Sequence, residues 1–500
     1  MRYCAVRGGW IGARRELRAV EKQHMGKVVA ELPITAPRQA VVAAPTSSET
    51  IVEDSPTAIR RLVARLAWPS IVENMLQSIF SILLVMMVAR IGSASIAGVG
   101  ASNSLIQVAM AGFFALSMGT TVLVAHATGA RNGEAASRAA KQSLVLSLII
   151  GAFISTLGVA FAPQAIAMLG AQADVIEAGS SYLRAFSLGG IFIVTTFVAG
   201  GVMRGSGDAR TPMLVTLITL VVSLAVAYPL IFGKLGLPAL GVLGAGLATT
   251  AARGIGCVVL VALLFRPNSS INLRDRQDWR PALEPFRRLL NIGLPSMFES
   301  LFRAGGMLIF SVIVFRLGTQ VAAAQQVAQQ IAFFSMMPGF GFSMAAMTLV
   351  GQSLGASNPL RASRASWFAT RSCLAWMGSM GLVFFFFGPW IMTLFSDDPE
   401  IITQGAAALK VIAFAQPGQA FGIVFAGSLR GAGDTQYPMF TTAAAMWFVR
   451  LPVAWLFGIV LGFGLVGVYF GWVVDTLVLA LLNWARYRTG RWQKRRVTVS

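Results

Sequence analysis

Arg204-Gly-Ser-Gly-Asp-Ala-Arg-Thr-Pro-Met213 occurs almost twice in this chain, the second time as Arg430-Gly-Ala-Gly-Asp-Thr-Gln-Tyr-Pro-Met439. The two stretches lie 226 residues apart. The same offset aligns Pro69-Ser70 with Pro295-Ser296, Glu73 with Glu299, and Arg90-Ile-Gly92 with Arg316-Leu-Gly318. It also aligns Ser117-Met118 with Ser343-Met344 and Gly129-Ala130 with Gly355-Ala356. A register held across most of the chain marks a duplicated domain.

The material between these landmarks is apolar. Of 500 residues, 56% are hydrophobic and only 12% are charged, about half the roughly 25% usual in soluble domains. Mean hydropathy is +0.69. Most of the chain therefore belongs in lipid. Windows of about 20 apolar residues, the length that crosses a bilayer as a helix, fall at 66–89, 98–128, 141–162, 182–203, 211–232 and 240–265. The second half repeats them at 289–315, 321–353, 365–388, 405–429, 437–460 and 464–485. The reading is an all-α polytopic membrane protein with twelve transmembrane helices, six per repeat. An even number gives both halves the same orientation, so the repeats are parallel, as in many secondary transporters. The second and eighth windows are long enough to tilt or overrun the bilayer.

The formal charge of +20 does not point to nucleic acid, because the charges sit in short loops and tails between spans. One set of loops with the C-terminal tail holds twenty-four Lys and Arg; the opposite set holds five. That asymmetry puts both termini in the cytoplasm and the chain in the inner membrane. The expected organisation is a disordered basic tail over 1–55 and an N-lobe over 56–265. A linker over 266–288, a C-lobe over 289–486 and a basic tail over 487–500 follow. Cys4, Cys257 and Cys373 form no disulfide or metal pattern, and no cofactor is expected beyond a coupling ion.

The Arg-Gly-x-Gly-Asp segments fall after the fourth and tenth spans. Glycines permit tight turns with positive φ. Arg204, Gly205 and Asp208, with Arg430, Gly431 and Asp434, are therefore read as rigid structural corners. Together with Leu66-Ala-Trp-Pro-Ser70, Ile71-Val-Glu-Asn-Met-Leu-Gln77, Pro338-Gly-Phe-Gly-Phe-Ser-Met344 and Leu349-Val-Gly-Gln-Ser-Leu-Gly-Ala356, they resemble the multidrug and toxic compound extrusion family of secondary transporters. The likeness spans about residues 60–496. It implies two six-helix bundles facing each other across a central cleft, and export of amphipathic, often cationic compounds driven by H⁺ or Na⁺. The sequence departs from the family pattern at Leu84 in the first span, where many bacterial members carry Asp, and at Gln419 in the tenth, where sodium-coupled members often do. It also departs near Phe302 and Arg303, where the helix-seven Glu of sodium-coupled members tends to lie.

Charges inside the spans are costly, about 2.5–3.5 kcal/mol at a helix centre on insertion scales. Three acids and three bases lie there: Glu73, Glu299, Asp475, Arg253, Arg303 and Arg450. The acids are the ion-coupling candidates. Burial disfavours an ionised carboxyl, so Glu73 and Glu299, each one turn after a proline, are candidate proton carriers. Arg303 follows Glu299 by one turn and is read as its charge partner; Glu73 has Gln77 at that place and no cation nearby in sequence. Arg450 is the expected partner of Asp475. Asn103, Gln329, Gln330 and Met336 are the candidates for lining the cleft, against an alternative in which buried amides serve as packing glue. His126 is read as a structural histidine.

The leading expectation is a proton-coupled antiporter of small amphipathic substrates, a monomer acting in the lipid bilayer. Sodium coupling and export of a lipid-linked precursor are the alternatives. A membrane enzyme has little support, because His24 and His126 are the only histidines. An ATP-driven pump lacks its Gly-x4-Gly-Lys-Ser/Thr loop.

Overall fold

The computed structural model describes residues 55–494 apart from 171, 235, 237, 267–270, 272, 276 and 277, and the side chains of 93 and 94. The disordered basic tail expected over 1–55 lies outside the described residues, except Ser55, whose side chain caps the first helix at Ala58 N. The N-terminal half contains α1 (Pro56–Ala89), α2 (Ser93–Gly129) and α3 (Gly133–Ala160). After a short helix, Ala162–Ala167, comes α4, a pair of helices (Ala173–Leu188 and Gly190–Ser206) bent by 51°. Then follow α5 (Arg210–Phe232) and α6 (Gly241–Leu264). The C-terminal half contains α7 (Leu283–Phe315), α8 (Thr319–Gly355), α9 (Pro359–Thr393), α10 (Pro399–Gly431), α11 (Gln436–Val460) and α12 (Gly464–Arg488).

Eleven of these helices are long and apolar enough to cross a membrane, and the bent α4 makes the twelfth span. The fourth span starts earlier than the hydropathy window at 182. Its first half opens with Asp174 and Glu177, which kept that turn out of an apolar window. The bend falls at Gly189, where a Cβ would come within 2.8 Å of Thr250 Oγ1. As the apolar windows suggested, α2 and α8 are the longest helices, at 37 residues each. At 1.5 Å per residue each runs about 55 Å, well beyond a hydrocarbon core of about 30 Å.

Each half packs its even-numbered helices through small residues. Gly201 and Gly205 on α4 press against α2, where a Cβ on either would meet Ser117 O at 2.6 Å or Thr121 O at 2.8 Å. Their repeat equivalents Gly427 and Gly431 on α10 press against α8, with Ser343 O at 2.6 Å and Met347 O at 2.3 Å. This Gly-x3-Gly spacing lets backbones approach where lipid supplies no hydrophobic drive between helices. It corrects the reading of Gly205 and Gly431 as turn glycines. Both lie in the last turn of a helix; the left-handed turn positions are Gly207 (φ 97°) and Gly433 (φ 80°).

Two boundary segments are packed rather than loose. Gln142 of α3 binds the linker, donating to Arg280 O at 2.8 Å and accepting from Ala282 N at 3.1 Å. Ile271 and Leu273 join the N-terminal core. At the other end, the stretch read as a basic tail from 487 keeps Tyr487 and Trp492 buried, their rings stacked 4.8 Å apart. Trp492 Nε1 donates to Tyr487 O at 2.7 Å.

The halves meet through α1 and α2 on one side and α7 and α8 on the other. A Cβ on Gly293 of α7 would lie 3.1 Å from Ala115 O of α2, and one on Gly341 of α8 would lie 3.1 Å from Ala67 O of α1. Position 67 is the repeat equivalent of 293, and 115 of 341, so these crossings obey the internal twofold. They and the α2–α8 crossing at Gly129 and Gly355 all lie toward the arginine-rich side.

Candidate functional site

The two repeated glutamates sit in matching clusters inside their own halves. In the first, Arg204 Nη1 on α4 bonds Glu73 Oε2 on α1 at 3.2 Å. Arg204 Nη2 reaches Ser117 Oγ on α2 at 3.3 Å, and Thr216 Oγ1 on α5 donates to Glu73 Oε1 at 3.4 Å. In the second, Arg430 Nη2 on α10 bonds Glu299 Oε1 on α7 at 2.6 Å, and Thr442 Oγ1 on α11 donates to the same oxygen at 3.2 Å. Glu–Arg and Glu–Thr separations are 131 and 143 residues in both halves. The helix-two serines repeat as well: Ser117 Oγ donates to Phe197 O at 2.6 Å, and Ser343 Oγ to Ile423 O at 2.9 Å.

The structure thus places Arg204 and Arg430 differently from the corner role read for them. Each ends its helix, but its guanidinium turns inward to the glutamate. Glu73 has no cation close by in sequence, but the fold supplies one from 131 residues away. The sequence did carry a signal for this: an opposite charge repeated in both halves together with the glutamate. The two aspartates of the corners have diverged. Asp208 is exposed and takes Arg210 N at 3.0 Å and Thr211 Oγ1 at 2.6 Å. Asp434 is buried and accepts from Arg486 Nε of α12 at 2.9 Å.

The clusters are not equal. Arg303 adds a second guanidinium to Glu299 at 3.1 Å, from the position one turn along α7. Glu299 is fully buried, whereas Glu73 is half-buried. The C-terminal half also holds a buried pair, Arg450 with Asp475, whose N-terminal equivalents are uncharged. Arg450 Nε donates to Asp475 Oδ2 at 2.8 Å, and Nη2 bonds the same oxygen. The guanidinium lies over the Trp472 ring, 4.7 Å from its centroid. Arg450 ends a π-helical stretch, Ala445–Arg450. The corresponding N-terminal positions are Leu224 and Thr249, in ordinary α-helix.

Of the cleft candidates, Gln329 accepts from Gln325 Nε2 at 3.4 Å on α8, and Tyr469 OH donates to Gln325 O at 3.4 Å. Gln330 is exposed and Asn103 half-buried. Met336 packs between a core cluster of the C-terminal half and one that joins α1 to that half. Among the described residues no hydrogen bond joins these four to either glutamate. Gln419, at a place where an Asp was looked for, is buried.

The sequence model of the MatE family matches this chain twice, over residues 69–229 and 295–456. The chain belongs to that family, the multidrug and toxic compound extrusion transporters. The two matches begin 226 residues apart, the offset of the repeat. A probable multidrug resistance protein NorM of Thermotoga maritima is 30% identical over 451 residues, covering 88% of this chain and 94% of that protein. A transporter of Bacillus subtilis, YisQ, is 26% identical over 431 residues, covering 85% and 94%. A MATE protein solved in its straight conformation superposes with a TM-score of 0.82 at 24% identity, covering 90% of this chain and 100% of that one. An outward-facing multidrug resistance MATE transporter superposes at 0.81 and 23% identity, covering 90% and 99%. The chain is a MATE-family membrane transporter with the twelve-helix fold of that family.

Proposed function

We propose that this transporter is an antiporter that exports amphipathic, often cationic organic compounds in exchange for protons, by alternating access between its two halves. The arginine-rich side is then the cytoplasmic one, and both termini lie there. The observation that carries the reading is the duplicated Glu–Arg–Thr cluster inside the spans of a MATE-family chain. Likeness to proteins called probable multidrug resistance proteins supports drugs as the substrates.

Crowding by the arginines favours a proton over sodium at these acids. A cation entering beside Glu299 would face Arg430 and Arg303, and one entering beside Glu73 would face Arg204. Like charges a few ångströms apart repel by several kcal/mol where water is scarce. A proton needs no space and cancels the carboxylate charge, which frees the arginine. Glu73, with one arginine and more exposure than Glu299, is the more accessible carrier. Exchange follows if protonation and substrate favour different arrangements of the halves.

Proteoliposomes test this. A cationic dye added to one side is expected to dissipate an imposed ΔpH and leave an imposed ΔpNa intact. Glu73→Gln, which cannot titrate, is expected to abolish dye-driven proton flux while still binding dye. A response to ΔpNa alone would overturn the ion assignment. No response to either gradient would remove drug antiport and leave export of a lipid-linked precursor as the reading to test.

A further inference from the structure

The corner that follows each repeated arginine closes in the same way. Arg204 O accepts Gly207 N at 3.0 Å and Met203 O accepts Asp208 N at 2.9 Å. In the second half, Arg430 O accepts Gly433 N at 2.8 Å and Leu429 O accepts Asp434 N at 2.9 Å. The last carbonyls of a helix have no intrahelical donor, and this turn leaves the glycine carbonyl after each arginine out of its own bonding. The other half supplies the donor in both cases. Gln352 Nε2 of α8 donates to Gly205 O at 2.9 Å, and His126 Nε2 of α2 bonds Gly431 O at 2.9 Å. Position 126 is the repeat equivalent of 352, and 205 of 431. Each half therefore caps a helix of its partner, and the two caps are related by the internal twofold.

The same helices also touch backbone to backbone here. A Cβ on Gly129 would lie 1.9 Å from Gln352 O, and one on Gly355 would lie 2.1 Å from His126 O. His126 is buried in the crossing. A donor at the negative end of a helix is favourably placed, and this crossing closes the arginine-rich side.

We infer that His126 and Gln352 are the positioning residues of the gate on that side: two reciprocal caps, each made across the lobe boundary, that hold the gate shut until both are withdrawn. The acceptor glycine directly follows the arginine that binds the lobe's glutamate. Arg204 and Gly205 share one helical turn, as do Arg430 and Gly431. A change at Glu73 or Glu299 that releases its arginine acts on the turn that presents the cap acceptor. This inference rests on alternating access, and it concerns the gate rather than the ion.

The test uses the full chain in liposomes, spin-labelled at Glu134→Cys and Leu360→Cys, with Cys4 replaced. These two exposed, repeat-equivalent sites open α3 and α9 next to the crossing. Distances by pulsed dipolar spectroscopy report the open fraction. His126→Ala or Gln352→Ala is expected to raise the ratio of open to closed by roughly 3- to 10-fold, the worth of one net hydrogen bond, and the double variant by about the product. His126→Gln is expected to keep the wild-type distribution, because an amide already performs this role at position 352. Arginine release by Glu73→Gln is expected to shift the distribution in the same direction as the alanine variants. Unchanged distances in the folded alanine variants would overturn the inference, as would a shift in His126→Gln as large as in His126→Ala. The distances do not depend on which ion drives transport. A shifted gate in a protein that moves no protons would sustain the caps and defeat the antiport reading alone.

Discussion

Arg450→Leu is expected to destabilise the folded protein by about 3–5 kcal/mol and to lower its melting temperature in detergent. Asp475 would then be a buried carboxylate without the guanidinium that serves one of its oxygens twice, and an unpaired buried charge costs about that much. Removing both charges should be far milder. A buried pair is seldom a large net gain over well-packed apolar residues, because desolvation offsets most of the attraction. The N-terminal half already stands without the pair, with Leu224 and Thr249 at the equivalent places. The double variant Arg450→Met/Asp475→Leu is therefore expected to recover most of the lost stability, with a coupling energy in the double-mutant cycle of about 2 kcal/mol or more. Its transport rate is expected to stay within a few-fold of wild type, as for a pair that braces α11 against α12. A well-folded double variant that moves no substrate would instead assign Asp475 to coupling.

The contrast between this pair and the repeated glutamates shows what a sequence of this kind discloses. Membrane spans are legible because lipid imposes a length and a polarity on each one. Hence the twelve spans and the unusual reach of α2 and α8 could be read directly. Arg303 beside Glu299 follows from helical periodicity alone. The partners of Glu73 and Glu299 do not, since Arg204 and Arg430 are 131 residues away and stand in segments that count as loop charges. Only the tertiary fold turns those side chains inward. The duplication did hold the clue, because a paired charge must repeat with its partner when the whole domain is copied. The role of Gly205 and Gly431 was hidden for a related reason. A glycine needed for close helix approach and a glycine needed for a turn look alike in a string, and here they sit two residues apart. The start of α4 was obscured by Asp174 and Glu177, and the bend at Gly189 was hidden because the apolar run continues through it.

Gly129→Ala and Gly355→Ala are each expected to cut transport at least tenfold while leaving the melting temperature almost unchanged. The added carbon would lie 1.9 Å from Gln352 O in one case and 2.1 Å from His126 O in the other. Non-bonded heavy atoms settle at about 3.5–4.0 Å, so the crossing would have to open by well over 1 Å. A backbone carbonyl within a helix cannot turn aside as a flexible side chain can. The packing that opens is the packing that joins the halves on the arginine-rich side. The core of each half extends well beyond the crossing, around Val198 and Leu144 in one and Leu409 and Tyr469 in the other, although the first also reaches Ala127 on α2 and Leu289 and Met347 of the other half. Folding of each half should therefore survive while closure fails. A transporter that cannot close one side leaves its site open to that side and completes no cycle. Gly378→Ala on α9 is the control: nothing lies within 4 Å of its added carbon, and transport within about twofold of wild type is expected. Substrate efflux and thermal unfolding measured on the three variants decide the matter. Wild-type transport by Gly129→Ala would mean that the α2–α8 crossing is not needed for closure. A large fall in melting temperature would mean that the crossing supports the fold itself, with no separate role in the transport cycle.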